Sequence, residues 1–188
     1  MEANQPHITN LLKRCKSSDK NAQLQLYKAY YKAMYNSAYR ILKDSFEAED
    51  IMQEAFLTAF TKMHTYKGEV SFGAWLKRIV INKSITQLKK NNRYQEVKMD
   101  VIPNNNIEDE QKNYKGLEPK KVLNSLQNLK ENYRVVLTLN LIEGFDYDEI
   151  AQILNFTNEN VRTTVSRAKK KLKQVLLAEH QQTQVYGR

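Results

Sequence analysis

Residues 146–172 read DYDEIAQILNFTNENVRTTVSRAKKKL, and this stretch decides the fold of its half of the chain. Asp146 and Glu149 have capping-box spacing: the first side chain caps a helix start and the second reaches back to it. The short helix so begun carries Ile150, Ala151, Ile153 and Leu154, and Asn155-Phe156 breaks it. Thr157 is a second N-cap. On the next helix, predicted over 158–176, Val161, Val165, Ala168 and Leu172 fall within about 60° at roughly 100° per residue. Glu159, Thr163, Ser166, Arg167 and Lys170 gather on the opposite side. Small Ala151 permits a close crossing. Two helices, a tight turn and a polar, basic outer face make a helix-turn-helix. Arg, Asn, Ser and Thr on such a face read base edges, and Lys neutralises phosphate. A plain helical hairpin with a solvated basic face shows the same pattern.

Helical spacing continues upstream. Pro119 suits a first helical position, followed by Val122, Leu123, Leu126 and Leu129. Glu131–Glu143 reads as a further helix, stopped by Gly144. Between 98 and 116 the pattern lapses: Pro103, three consecutive Asn and Gly116 mark a linker. The chain therefore splits into a domain over 1–97, a linker over 98–117, a second domain over 118–180 and a polar tail over 181–188. In the first domain, Leu24, Tyr27, Tyr30, Tyr31, Met34, Ala38, Tyr39 and Leu42 fit one helix and Glu47–Met63 a second. Ser71 caps a third, with Phe72, Trp75, Leu76, Ile79 and Val80 on one face. The expected fold class is all-α, two small helical domains.

Composition agrees. The 188 residues include 5 Gly and 3 Pro, too few for a turn-rich β fold. Lys and Arg total 30 against 21 Asp and Glu, a net charge of +9 that suits a polyanionic partner. The charge is blocked. Asp44–Phe60 holds five acids and no Lys or Arg, 77–98 and 157–173 are strongly basic, and 99–119 is acidic again. Within the acidic helix, Ile51, Met52, Ala55, Phe56, Ala59, Phe60 and Met63 share one face. Asp50, Gln53, Glu54 and Leu57 lie opposite. A leucine centred among acids invites a partner surface, although single exposed leucines are common.

Enzymatic and membrane classes find no support. His7, His64 and His180 have no metal-ligand spacing, no glycine-rich phosphate loop exists, and Cys15 is the one cysteine. No cofactor, metal or catalytic residue is expected. The longest apolar run, 135–142, is far short of a membrane span. With no apolar leader segment, a cytoplasmic location without membrane insertion is expected.

Three segments resemble a known family. Residues 48–60 (AEDIMQEAFLTAF) are similar to the region 2.2 helix of sigma factors, and 71–82 (SFGAWLKRIVIN) to regions 2.3 and 2.4. Residues 129–154 are similar to region 4. Their order and spacing over Leu24–Leu177 resemble an RNA polymerase sigma factor of the sigma-70 family, extracytoplasmic-function group. The resemblance implies a transcription initiation factor, not an enzyme, that binds core RNA polymerase and directs it to promoters. Glu47, Asp50, Gln53, Glu54 and Leu57 would dock the β′ clamp helices, while the second domain binds the β flap. His64, Thr65, Tyr66, Lys67 and Gly68, with Lys77, Arg78, Asn82, Lys83, Lys89, Lys90 and Arg93, would melt and hold the −10 element. Asn158, Glu159, Asn160, Arg162, Thr163, Ser166, Arg167 and Lys170 would read the −35 element. Many relatives carry a second arginine where Thr164 stands. The partners implied are core RNA polymerase and promoter DNA, and a cognate anti-sigma factor is compatible with them. The competing reading is a stand-alone helix-turn-helix regulator, which leaves the acidic helix and the 77–98 basic segment unexplained.

Overall fold

The computed structural model of the chain describes residues 5–91 and 119–186. Every regular element among them is helical, and the chain divides into two compact units, 1–90 and 91–188.

The first unit holds α1 (Gln5–Lys16), α2 (Lys20–Leu42), α3 (Ser45–Thr61), a 3-10 turn at Met63–Thr65, and α4 (Phe72–Lys90). Helices α2, α3 and α4 pack on one another, and α1 lies on α2. The starts of α2, α3 and α4 each have a polar cap that takes up N–H groups no helical partner can satisfy. Asp19 accepts from Asn21 and Ala22 at 2.9 and 3.2 Å, and Asp44 from Phe46 and Glu47 at 2.9 and 3.0 Å. Ser71 Oγ accepts from Ala74 at 3.2 Å, as its position predicts. Leu26, Met34, Ile41, Phe56, Phe72, Leu76, Ile81 and Leu88 fill the core. Burying one such side chain stabilises the fold by about 1.5–3 kcal/mol.

Two features depart from expectation. Helix α1 was not anticipated. It buries Leu11 and Cys15, one turn apart. Burial pushes the Cys15 thiol above its ordinary pKa, and Asp19 adds to this while Arg14 opposes it. In α2 the expected apolar phase is partly wrong: Leu24 and Tyr39 are exposed, whereas Ala22, Leu26, Ser37 and Ile41 are buried.

The second unit holds α5 (Pro119–Gln127), α6 (Glu131–Leu137), a π turn at Thr138–Ile142, α7 (Tyr147–Leu154) and α8 (Asn158–Tyr186). Helices α5, α6 and α7 all pack on α8. The helix expected over 131–143 is thus regular only to Leu137 and then widens. Gly144 takes the left-handed conformation expected of it, at φ +81°. Asn140 Nδ2 donates to Phe145 O at 3.2 Å, closing the exit from the π turn. Arg134 is 3% exposed, with Glu131 Oε2 at 3.7 Å. Burial draws the Arg134 pKa down and Glu131 raises it. Helix α8 runs past 176 and takes in most of the tail expected over 181–188. The linker expected over 98–117 and the basic residue Arg93 lie outside the described residues.

Candidate functional site

On α3, Ala48, Ile51, Met52, Ala55, Phe56 and Ala59 are buried. The opposite side is a stripe. At about 100° per residue, Phe46, Asp50, Gln53 and Leu57 lie within roughly 60° of one another, with Glu54 and Glu47 on its flank. Phe46 is 81% exposed and Leu57 67% exposed. Two apolar side chains thus bracket an acidic segment. Leu57 was legible in the sequence; Phe46 was not, because it stands just after the cap residue Asp44, ahead of the recognisable pattern. Gln53 Nε2 donates to Glu49 Oε1 at 3.3 Å, which leaves Asp50 between the two apolar ends.

The loop after α3 is built from aromatics. Tyr66 meets Phe72 edge-on at 5.9 Å and Trp75 tilted at 5.3 Å. Its hydroxyl donates to Val70 O at 2.7 Å and so closes the loop on itself. Burial lifts the Tyr66 pKa, with Tyr30 adding, so the hydroxyl keeps the proton it donates. Gly68 at φ +83° makes the bend between them. His64 and Thr65 belong to the 3-10 turn, and His64, Thr65, Lys67 and Gly68 are exposed. Trp75, expected in the core, is half-buried.

The basic residues of α4 do not form one track. Arg78, Asn82 and Lys89 share a line within about 40° on the exposed side, whereas Lys83 and Lys90 lie on another flank and Lys77 on neither. Lys83 Nζ reaches across to Glu54 Oε2 at 3.1 Å.

In the second unit both cap signals form. Glu149 N donates to Asp146 Oδ1 at 2.8 Å and Asp146 N to Glu149 Oε2 at 3.1 Å. Asn160 N donates to Thr157 Oγ1 at 3.2 Å. Val161, Val165, Ala168 and Leu172 are buried, as predicted. Glu159, Thr163 and Ser166 are exposed, and Arg167 and Lys170 half-buried. Thr164 is buried and donates to Asn160 Oδ1 at 3.1 Å. The Asn158 side chain does not join the outer face but turns toward α7.

Residues 26–94 match the family described as Sigma-70 region 2, and residues 120–172 match Sigma-70, region 4. This chain belongs to the sigma-70 family. Among relatives of this sigma factor, the ECF RNA polymerase sigma factor SigW of Bacillus subtilis is 28% identical over 180 residues, 90% of this chain and 96% of SigW. The RNA polymerase sigma-H factor of Pseudomonas aeruginosa is 27% identical, covering 88% of this chain and 92% of that one. These relatives place the sigma factor in the extracytoplasmic-function group. Its fold resembles that of RpoE from Bartonella quintana, solved with the anti-sigma factor NepR. The TM-score is 0.54 at 22% identity, over 81% of this chain and 94% of that one. It also resembles CnrH, solved with the cytosolic domain of CnrY. Here the TM-score is again 0.54, at 24% identity over 89% and 96%. Within this sigma factor, the region 2 match spans the α3 stripe, the aromatic loop and α4, and the region 4 match spans the helix-turn-helix.

Proposed function

We propose that the chain is a promoter-specific transcription initiation factor that docks core RNA polymerase through α3 and reads DNA with its other faces. The β′ clamp helices are the partner for the stripe from Phe46 to Leu57, and the β flap is the partner for the second unit. The 64–71 loop and α4 engage the −10 element. The outer face of α8 engages the −35 element, with Glu159, Thr163, Ser166 and Arg167 at bases and Arg162 at phosphate. The factor works in the cytoplasm without a catalytic site of its own, and a cognate anti-sigma factor is the partner that holds it off polymerase. Among the described residues, no helix is long and apolar enough to cross a membrane.

The observation that carries this reading is Leu57, exposed among acids on the side of α3 opposite the core. A regulator that binds duplex DNA alone has no use for an acidic face with apolar anchors. A gel shift on promoter duplex, with and without core polymerase, separates the two. Sequence-specific binding that requires core enzyme supports the initiation factor. Equal specific binding without it supports the stand-alone regulator.

A further inference from the structure

Asn158 and Arg162 stand one helical turn apart on α8, and neither side chain points freely outward. Asn158 Nδ2 donates to Asp148 Oδ1 of α7. The other end of the same amide, Oδ1, accepts from Arg162 Nε at 2.7 Å. The Arg162 guanidinium lies over the Tyr147 ring, 5.6 Å from its centroid, within range of a cation–π contact. The amide is thus committed at both ends, and the guanidinium is fixed by one nitrogen and one face.

From this geometry we propose that Tyr147 and Asp148 are positioning residues for a phosphate clamp, in which Arg162 touches the DNA backbone and Asn158 is the link. The proposal rests on the reading of α8 as the duplex-contacting helix. Nε and the ring face hold the plane of Arg162. Its two terminal Nη groups have no acceptor among the described residues, and this fork edge is the one that pairs bidentately with phosphate oxygens. An arginine already held in its bound orientation loses less side-chain freedom when the contact forms. Asn158, expected as a DNA-contacting residue, becomes a bridge within the protein. Asp148 and Tyr147 act from the first helix of the motif without touching DNA. Arg167, about 140° further round α8, faces a different part of the groove.

The test measures how duplex affinity depends on salt, because each phosphate contact adds about 0.9 to the slope of log affinity against log salt. Core RNA polymerase loaded with the full chain is titrated against a labelled duplex that the assembly selects from a randomised pool, between about 50 and 200 mM salt. Arg162→Ala, Tyr147→Ala, Asp148→Ala and Asn158→Ala are each expected to lower the slope by about one. Each then shrinks the affinity ratio across that range about threefold. Tyr147→Phe keeps the ring and Asp148→Asn keeps an acceptor, so both should retain the wild-type slope. Arg162→Ala combined with Tyr147→Ala should lose no more slope than Arg162→Ala alone. The proposal is overturned if Tyr147→Ala and Asp148→Ala weaken binding equally at every salt concentration, since that marks a purely structural role. It is overturned as well if Arg162→Ala leaves the slope intact. In that case the duplex reading of α8 still stands if Arg167→Ala lowers affinity, and falls if it does not.

Discussion

Lys83 Nζ of α4 and Glu54 Oε2 of α3 are 3.1 Å apart, so one ion pair joins a residue of the proposed docking stripe to a residue of the proposed −10 face. The side chains are 30% and 60% exposed, which places the pair in the range of about 0.2–1 kcal/mol for exposed pairs. A double-mutant cycle with Glu54→Gln and Lys83→Met, read by urea unfolding, should return a coupling within that range that shrinks as salt is added. A coupling that ignores salt would show that the contact is not electrostatic. On the proposed function, a partner cation that engages Glu54 would release Lys83 toward phosphate, coupling docking to strand capture.

Phe46 and Leu57 bracket the acidic stripe and are too exposed to support the core. Phe46→Ala and Leu57→Ala should each leave unfolding free energy within about 0.5 kcal/mol of wild type. Each should weaken core polymerase binding by about 1–2 kcal/mol, roughly 5–30-fold, if it fills a pocket at the centre of the interface. Surface-immobilised core enzyme titrated with each variant gives the number. Unchanged affinity in both would remove the apolar anchors from the docking face.

The glycines near the aromatic loop should fail for different reasons. An added Cβ at Gly73 sits 2.9 Å from Tyr30 Cε1, and the Tyr30 ring is itself packed edge-on against Phe72 at 5.5 Å. Gly73→Ala therefore overpacks the unit and should cost about 1–3 kcal/mol. At Gly68 no atom lies within 4 Å of the added Cβ, but φ is +83°. Gly68→Ala should cost about 1–2 kcal/mol through backbone strain alone. Truncating Tyr30 to Leu in each background distinguishes them: it should relieve Gly73→Ala and leave Gly68→Ala unrelieved.

Asp19 caps α2, and its pKa is lowered first by the bond from Ala22 N, then by the Arg14 side chain, which donates from Nε at 2.8 Å. A carboxylate whose folded pKa is depressed stabilises the fold above its unfolded pKa. That contribution is lost as pH falls through the folded value. Stability of the first unit should therefore decline as pH drops below about 4. Asp19→Asn keeps the cap without the titration, so its unfolding midpoint should be flatter over this range. An identical pH profile in the variant would assign the acid sensitivity to other carboxylates.

The sequence made the second unit more legible than the first, and the reason is geometric. Val161, Val165, Ala168 and Leu172 form a single stripe because α8 packs through one side there, so periodicity alone gives the correct face. The buried residues of α2 spread over about 200° of its cylinder, so Leu24 and Leu26 could not be ranked by spacing. Helix α1 was illegible because it buries only two described side chains, which look ordinary until α2 is beside them. In the candidate site, Leu57 could be read because it lies within the periodic 47–63 span, directly opposite the core face. Phe46 precedes that span. The Asn158 contact was illegible for another reason: a side chain that turns to meet Asp148, ten positions back, leaves no trace in helical periodicity.

The π turn at Thr138–Ile142 holds one residue more than a regular turn needs. It is therefore the place in the second unit where the chain carries slack. Losing one residue there would let the helix close into regular geometry while Val135–Leu137 before it and the Gly144 bend after it keep their places. Losing one from α8 would turn the stripe of Val161, Val165, Ala168 and Leu172 out of the core. Length variation in this unit should be tolerated at the π turn and rejected in the buried part of α8.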